Sequence, residues 1–257
     1  MADKHGNFIW YELLTSDPNA ASQFYSKVIG WDISGAGHGP VDYRHCAVAA
    51  VQVAGIMALP PGASDAGMPP CWLGYIAVDD VDAKVASITA AGGQVHMPAQ
   101  DMPEVGRIAM LADPWGAMFY IMHGARPEPS QAYKQGVVGH GSWNELLTTD
   151  IAAAGKFYCE QFGWELGDAM DMGPMGTYQL CTLDGQMHCG MMKAPPEMPR
   201  PAWAYYMQVP GIDTAVESIK ANGGAVVAGP MQVPGGDHFI SATDPQGAMF
   251  GLLGTRG

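Results

Sequence analysis

Two glutamates carry the first chemical signal. Glu12 and Glu145 each stand two residues after a tryptophan, Trp10 and Trp143. In a strand, residues i and i+2 share a face, so each carboxylate lies on the same side as its indole. A carboxylate among Trp, Tyr and Met is desolvated and its pKa rises, which suits a general base or acid. A buried Glu bonded to a neighbouring strand or to a Tyr hydroxyl has the same signature, and both readings stay open. Arg107 and His238 occupy matched positions, six residues before Asp113 and Asp244. A cation there can hold a substrate carboxylate or phosphate, or pair with a Glu. It can equally face solvent at the start of a strand. Tyr75 matches Tyr206, and Trp72 matches Trp203. His38, His45 and His188 lack mutual metal-ligand spacing and read as surface or internally satisfied groups. Asp17, Asp150, Asp113 and Asp244 read as caps and turn residues. There is no Gly-rich nucleotide fingerprint, P-loop or GxSxG elbow.

The elements that hold these residues come from an internal repeat. Residues 10–31 read WYELLTSDPNAASQFYSKVIGW, and residues 143–164 read WNELLTTDIAAAGKFYCEQFGW. Twelve of these 22 positions are identical, too many for chance, so the chain holds two copies of one plan. DPWGAMF at 113–119 and DPQGAMF at 244–250 mark the ends of the copies. The predicted division is a first module over 1–124, a Pro- and Gly-bearing linker over 125–136 and a second module over 137–257. Each module repeats a smaller grammar. A strand around Trp10–Leu14 leads to Asp17-Pro18, a helix start. Ala21, Phe24, Tyr25 and Val28 then fall on one helical face, and Gly30 follows as a stop. Strand-like runs follow at 43–50 and 52–58. The same order recurs from Trp72, with Val81, Val85 and Ile88 as the helix stripe, Gly92-Gly93 as the stop, and runs at 107–112 and 117–122. It recurs again from Trp203, with Ile212, Val216 and Ile219. The repeating unit is strand, helix and about three strands, present four times. Paired units bury one sheet face, and a curved mixed sheet with helices outside leaves a concave inner face for a ligand.

Composition bounds the function. The 257 residues are 48% hydrophobic and carry a formal net charge of −13, which argues against a phosphate backbone or an anionic membrane surface as partner. No apolar run approaches the ~20 residues of a spanning helix, and the first residues lack a signal-peptide core, so a cytoplasmic protein is expected. The five cysteines, Cys46, Cys71, Cys159, Cys181 and Cys189, show no CxxC spacing, so neither a disulfide framework nor a Cys-rich zinc site is expected.

The fourfold strand–helix–strands plan, the D-x-x-x-A-x-x-F-Y-x-x-x-x-G-W segments, the Gly-Gly stops and the DP-x-GA-x-F openings resemble the vicinal oxygen chelate superfamily. That group includes glyoxalase I, extradiol dioxygenases and bleomycin-resistance proteins. The W-x-E-L-x-T-x-D opening is similar to a two-module, glyoxalase-like branch. The resemblance implies an α+β fold of two tandem modules, each a pair of βαβββ units forming a curved mixed sheet with helices outside. It also implies that Trp10 and Glu12, and Trp143 and Glu145, face the cavity. Metal-using relatives place His or Glu at four inner-face points. Here those points fall at Trp10 and Trp143, near Gly55-Ile56 and Gly190-Met191, near Leu73 and Ala204, and at Tyr120 and Gly251. None is a competent ligand, whereas a divalent ion needs three or four converging donors. The expectation is therefore no metal and no other cofactor, with a divalent metal left open. Glu12 and Glu145 are the catalytic candidates. Trp10, Trp143, Tyr75, Tyr206, Tyr120, Arg107 and His238 are the substrate-binding candidates. The expected protein is a small-molecule enzyme of lyase, isomerase or hydroxylase type. The alternatives are a binder that sequesters an apolar compound and a metal-dependent glyoxalase or dioxygenase. The expected partner is a small molecule, with no nucleic acid and no membrane, and the protein is a monomer of two fused modules or a homodimer.

Overall fold

The computed structural model describes residues 3–36, 42–65, 67–196, 198 and 200–256, so His38 lies outside the described residues. The first βαβββ unit is β1 (Phe8–Thr15), α1 (Pro18–Val28), the short β2 (Asp32–Ile33), β3 (Tyr43–Val48) and β4 (Val51–Ala58). The second is β5 (Cys71–Ala77), α2 (Val81–Ala90), β6 (Gln94–Met102), β7 (Gly106–Ala112) and β8 (Met118–Gly124). The third is β9 (Gly141–Thr148), α3 (Ile151–Phe162), β10 (Glu165–Asp171), β11 (Thr177–Leu183) and β12 (Gln186–Lys193). The fourth is β13 (Ala202–Gly211), α4 (Ile212–Ala221), β14 (Ala225–Gln232), β15 (His238–Thr243) and β16 (Met249–Thr255). The strands form two eight-stranded sheets of one topology, β2-β3-β4-β1-β5-β8-β7-β6 and β10-β11-β12-β9-β13-β16-β15-β14. Both are mixed: β1 runs parallel to β4, and β3 antiparallel to it. This is the expected α+β plan of two tandem modules. No helix among the described residues is long and apolar enough to cross a membrane.

Local chemistry explains the boundaries. The Asp17 carboxylate accepts the backbone N–H groups of Asn19 and Ala20, and Pro18 fills the first turn of α1. Asp80 and Asp150 accept from Ala83 and Ala153 at the starts of α2 and α3. The α3 helix ends on Gly163 in the left-handed region (φ 71°), a conformation that costs glycine nothing. The predicted α1 face, Ala21, Phe24, Tyr25 and Val28, is buried throughout.

The chain divides into two compact units that cut across the sequence repeat. One holds Met1–Ile9, Gly74–Ser130 and Asn144–Ala204; the other holds Trp10–Leu73, Gln131–Trp143 and Tyr205–Gly257. In the second of these, α1 meets the end of the chain. The Trp72 indole donates to the Tyr25 hydroxyl (2.9 Å), which donates to Asp244 (3.1 Å), and Phe24 and Tyr25 pack edge-on to Phe250. In the other unit, Trp203 donates to Tyr158 (2.9 Å) and Tyr158 to Asp113 (3.1 Å), with Phe119 against Phe162. The segment expected as a linker is tied down in part. Ala132 is fully buried and its carbonyl accepts from Gly141 (2.9 Å), while Lys134 donates its backbone N–H to the Gly141 carbonyl (2.8 Å).

Candidate functional site

Strand register brings a carboxylate, a phenol and an indole together in the unit that contains residues 10–73. Glu12 on β1 lies opposite Gly55 on β4, and Gly55 lies opposite His45 on β3. Paired residues project to one face, and alternation adds Trp10, Tyr43 and Met57 to it. A Cβ at Gly55 would come within 2.0 Å of the Tyr43 hydroxyl oxygen. The missing side chain is thus what lets the phenol lie across β4 toward Glu12. The Trp10 indole donates to the Tyr43 hydroxyl (2.8 Å), and that hydroxyl donates to the Glu12 carboxylate. Burial, and then the Glu12 charge, push the Tyr43 phenol well above its usual range, so it stays a protonated donor. Glu12 is only 4% exposed, while Trp10, Tyr43 and His45 are half-buried. The His45 ring stands edge-on to Tyr43 and Trp10, at 5.1 and 6.4 Å. This arrangement fixes one carboxylate at the foot of an aromatic wall, oriented by a phenol that an indole orients in turn.

The other unit carries a second version. Glu145 on β9 lies opposite Gly190 on β12, which lies opposite Leu180 on β11. A Cβ at Gly190 would come within 2.3 Å of the Tyr178 ring. The carboxylate, the glycine and the tyrosine are therefore retained, but Leu180 stands where the first copy has His45. Glu145 is also less buried than Glu12. Trp143 is half-buried and belongs to the unit with residues 131–143.

The remaining candidates divide between the two sheet faces. Tyr75 and Tyr120 are direct partners across β5 and β8 and stack at 4.2 Å with their planes 8° apart. Tyr206 lies over Gly251, with a Cβ there reaching within 2.2 Å of its ring, and its hydroxyl is 3.4 Å from Ser241 Oγ. Arg107 points the opposite way from Tyr120. Tyr120 pairs with Met110, whereas Arg107 shares its side of β7 with the buried Ala109 and Leu111. Its guanidinium donates to Asp82 on α2 (2.7 and 2.8 Å) and to Asp101 (3.0 Å). His238 lies on the corresponding side of β15, with the buried Ile240 and Ala242, away from the side that carries Ser241. The six-residue spacing to Asp113 and Asp244 is an even number, and that places both cations on the helix-covered side.

His188 is an internal histidine. It is buried, stacks on Phe8, meets Trp164 edge-on and lies 3.0 Å from the Gly6 carbonyl. Burial pulls its pKa down to about 4. Asp113 and Asp244 receive backbone N–H groups at their turns and hydroxyl protons from Tyr158 and Tyr25, the roles of turn residues. Among the described residues no group of three or more His, Cys, Asp or Glu is placed to hold a metal ion. The donors near Glu12 are a protonated phenol and one imidazole, a set that does not fit a chelated divalent ion. Sequence reasoning passed over Tyr43, Tyr178, Gly55 and Gly190 as a set. Their signal was available, because tyrosine and glycine recur at one common offset between the copies.

The family model for the Glyoxalase/Bleomycin resistance protein/Dioxygenase superfamily matches residues 7–121 and 140–252. The chain belongs to this superfamily. It is 35% identical over 254 residues to a Mycobacterium tuberculosis protein named "Putative glyoxylase CFP32", covering 97% of this chain and 95% of that one. It is 31% identical to the "Anthracycline biosynthesis protein DnrV" of Streptomyces peucetius, covering 96% of this superfamily member and 92% of DnrV. Among solved structures, the Mn(II)-bound glyoxalase from Novosphingobium aromaticivorans shares the fold, with TM-score 0.63 at 17% identity, over 98% of this chain and 82% of that one.

Proposed function

We propose that this glyoxalase-like protein is a small-molecule enzyme of lyase, isomerase or hydroxylase type. It acts without a bound metal on an apolar, aromatic or carbonyl-bearing compound, with Glu12 as the proton-transferring group. The observation that carries the reading is the Trp10–Tyr43–Glu12 chain of hydrogen bonds. A carboxylate at the foot of an aromatic wall, held in one orientation by a phenol, is an arrangement suited to removing or returning a proton beside a carbonyl. Arg107 is bound to two aspartates on the helix side, which favours a ligand without carboxylate or phosphate groups. Glu145 with Tyr178 is the second, diverged version of the same device. The curated relatives named for a glyoxylase and for anthracycline biosynthesis both fit small-molecule chemistry. Manganese belongs to the solved glyoxalase, whereas the phenol and imidazole beside Glu12 favour proton transfer over chelation. The proposal further takes the protein as cytoplasmic, with neither nucleic acid nor membrane as partner, and as a monomer of fused modules or a homodimer.

A second reading follows from the half-buried rings of Trp10, Tyr43 and His45, which could hold an aromatic compound with no reaction. One experiment separates the two. The small molecule that co-purifies with the protein is identified by mass spectrometry and incubated with the native chain, Glu12→Gln and Glu145→Gln. Turnover that falls at least 100-fold in Glu12→Gln, with binding retained, supports the enzyme. A ligand unchanged by the native protein supports the binder.

A further inference from the structure

Three of the five cysteines meet in the third βαβββ unit. Cys181 on β11 and Cys189 on β12 are direct partners in the antiparallel register, and both are fully buried. The two thiols share a hydrogen bond that favours ionisation of Cys181, while burial keeps Cys189 protonated. Cys159 on α3 is half-buried and close enough to feel the Cys181 charge. The first module has no such group. At the equivalent positions Cys46 faces Ala54, and α1 carries Ser26. The fold therefore accommodates alanine and serine at two of these three places, so packing alone does not require the thiols.

We propose that Cys181 and Cys189 are a disulfide-forming pair that reacts with small-molecule disulfides. Directly opposed residues of an antiparallel pair have Cα atoms about 4.5 or 5.5 Å apart, and both spacings lie in the range that a disulfide spans. The β11–β12 hairpin turns at Asp184 and Gly185, both at positive φ, and a register shift between Thr182 and Cys181 sets Cys181 opposite Cys189. Access comes from the sheet edge. Cys181 pairs on its other side with Leu166 of β10, a terminal strand of its sheet, and Leu166 is 50% exposed. The exchange therefore requires β10 and its Leu166 to fray from the sheet edge, the least stable part of the hairpin's surroundings.

The exchange balances in two steps. Cys181 loses its proton, and its thiolate attacks a small disulfide RSSR, forming the Cys181–SR bond and expelling RS⁻, which takes up that proton. Cys189 then loses its proton and attacks the Cys181 sulfur, forming the Cys181–Cys189 bond and releasing a second RSH. The protein gives up two electrons and two protons, and RSSR is reduced to two RSH.

The probe is cystamine, a small cationic disulfide suited to a chain of net charge −13. Folded protein is treated with it, free thiols are alkylated, and the chain is cut before Asp184, which puts Cys181 and Cys189 on separate peptides. The expected result is a 181–189 cross-linked peptide pair, with Cys46 left alkylated. Cys189→Ala installs the first module's residue and is expected to trap the cysteamine adduct on Cys181. Cys159→Ser is expected to leave the cross-link intact. Near-ultraviolet circular dichroism during the reaction confirms that the fold persists. The proposal fails if Cys181 and Cys189 stay alkylable while only Cys71 is modified. It fails equally if Cys181 pairs with Cys159, or if the cross-link appears only once the fold is lost.

Discussion

At the scale of the residue, the side chains that define the candidate site were legible in unequal measure. Glu12 and Glu145 stood out because a charged residue in an apolar strand is costly unless partnered. Tyr43 gave no such sign, since a tyrosine at a strand start looks like any half-buried aromatic. Its importance comes from a non-local event, the crossing over Gly55, which is a matter of register and not of local pattern. Arg107 and His238 were matched correctly between copies, but their facing depended on counting along a strand whose start was not fixed. His188 makes a prediction of its own. Its folded pKa of about 4 lies below the ordinary imidazole value of 6.5, so the unfolded chain binds the proton more tightly. The stability it contributes is present above pH 6.5 and is lost as pH falls toward 4. At 1.36 kcal/mol per pKa unit the loss is at most about 3 kcal/mol. Asp113 and Asp244, raised by burial, work in the opposite direction, their contribution falling as pH rises above 3.8. Urea denaturation from pH 7 to pH 4 should therefore compare the native chain with His188→Gln, and the variant should show the shallower loss on acidification.

At the scale of the element, the helices and inner strands followed from periodicity, and the outermost strands did not. The expectation was about three strands after each helix, yet only two runs were placed in each unit of the first module. The strands missed there are β2 and β6, which, like β10 and β14, are the ends of the two sheets. β6 reads QVHMPAQDM and β10 reads ELGDAMD, both mostly exposed. A terminal strand has a neighbour on one side only, and here neither face is covered enough to select apolar residues. Hydrophobic alternation never develops, so the pattern that reveals inner strands is missing. The repeated Trp, Phe-Tyr and Asp-Pro motifs have a structural explanation at this scale. Each Tyr hydroxyl accepts from an indole on a strand and donates to an Asp at a turn. Tyr25→Phe leaves the Trp72 N–H and an Asp244 oxygen buried and unpaired, and it should destabilise by about 2–4 kcal/mol. Tyr158→Phe should act similarly through Trp203 and Asp113. Equilibrium denaturation at pH 7 measures both. A change under 0.5 kcal/mol would show that the indole and carboxylate find other partners.

At the scale of the whole molecule, the repeat gave two modules, and the sequence left open how their four units pair. Each compact unit draws one βαβββ unit from each copy of the repeat. Self-similarity records where the sequence repeats, whereas compactness records which side chains pack, and no local pattern states which helix will meet which strand. The Trp–Tyr–Asp contacts decide it, because in both units the Tyr and the Asp come from different copies. Residues 1–130 and 131–257 expressed separately should each lack an ordered core, and co-expression should restore near-ultraviolet circular dichroism; two independently folded halves would refute this. A consequence follows for how the chain answers dilution. Within one chain, the partner of each Tyr is supplied at an effective concentration fixed by chain length, about millimolar for short flexible connections. The intact protein should therefore melt at a temperature independent of its concentration. The paired fragments, held by the same contacts as a bimolecular complex, should melt lower with each dilution.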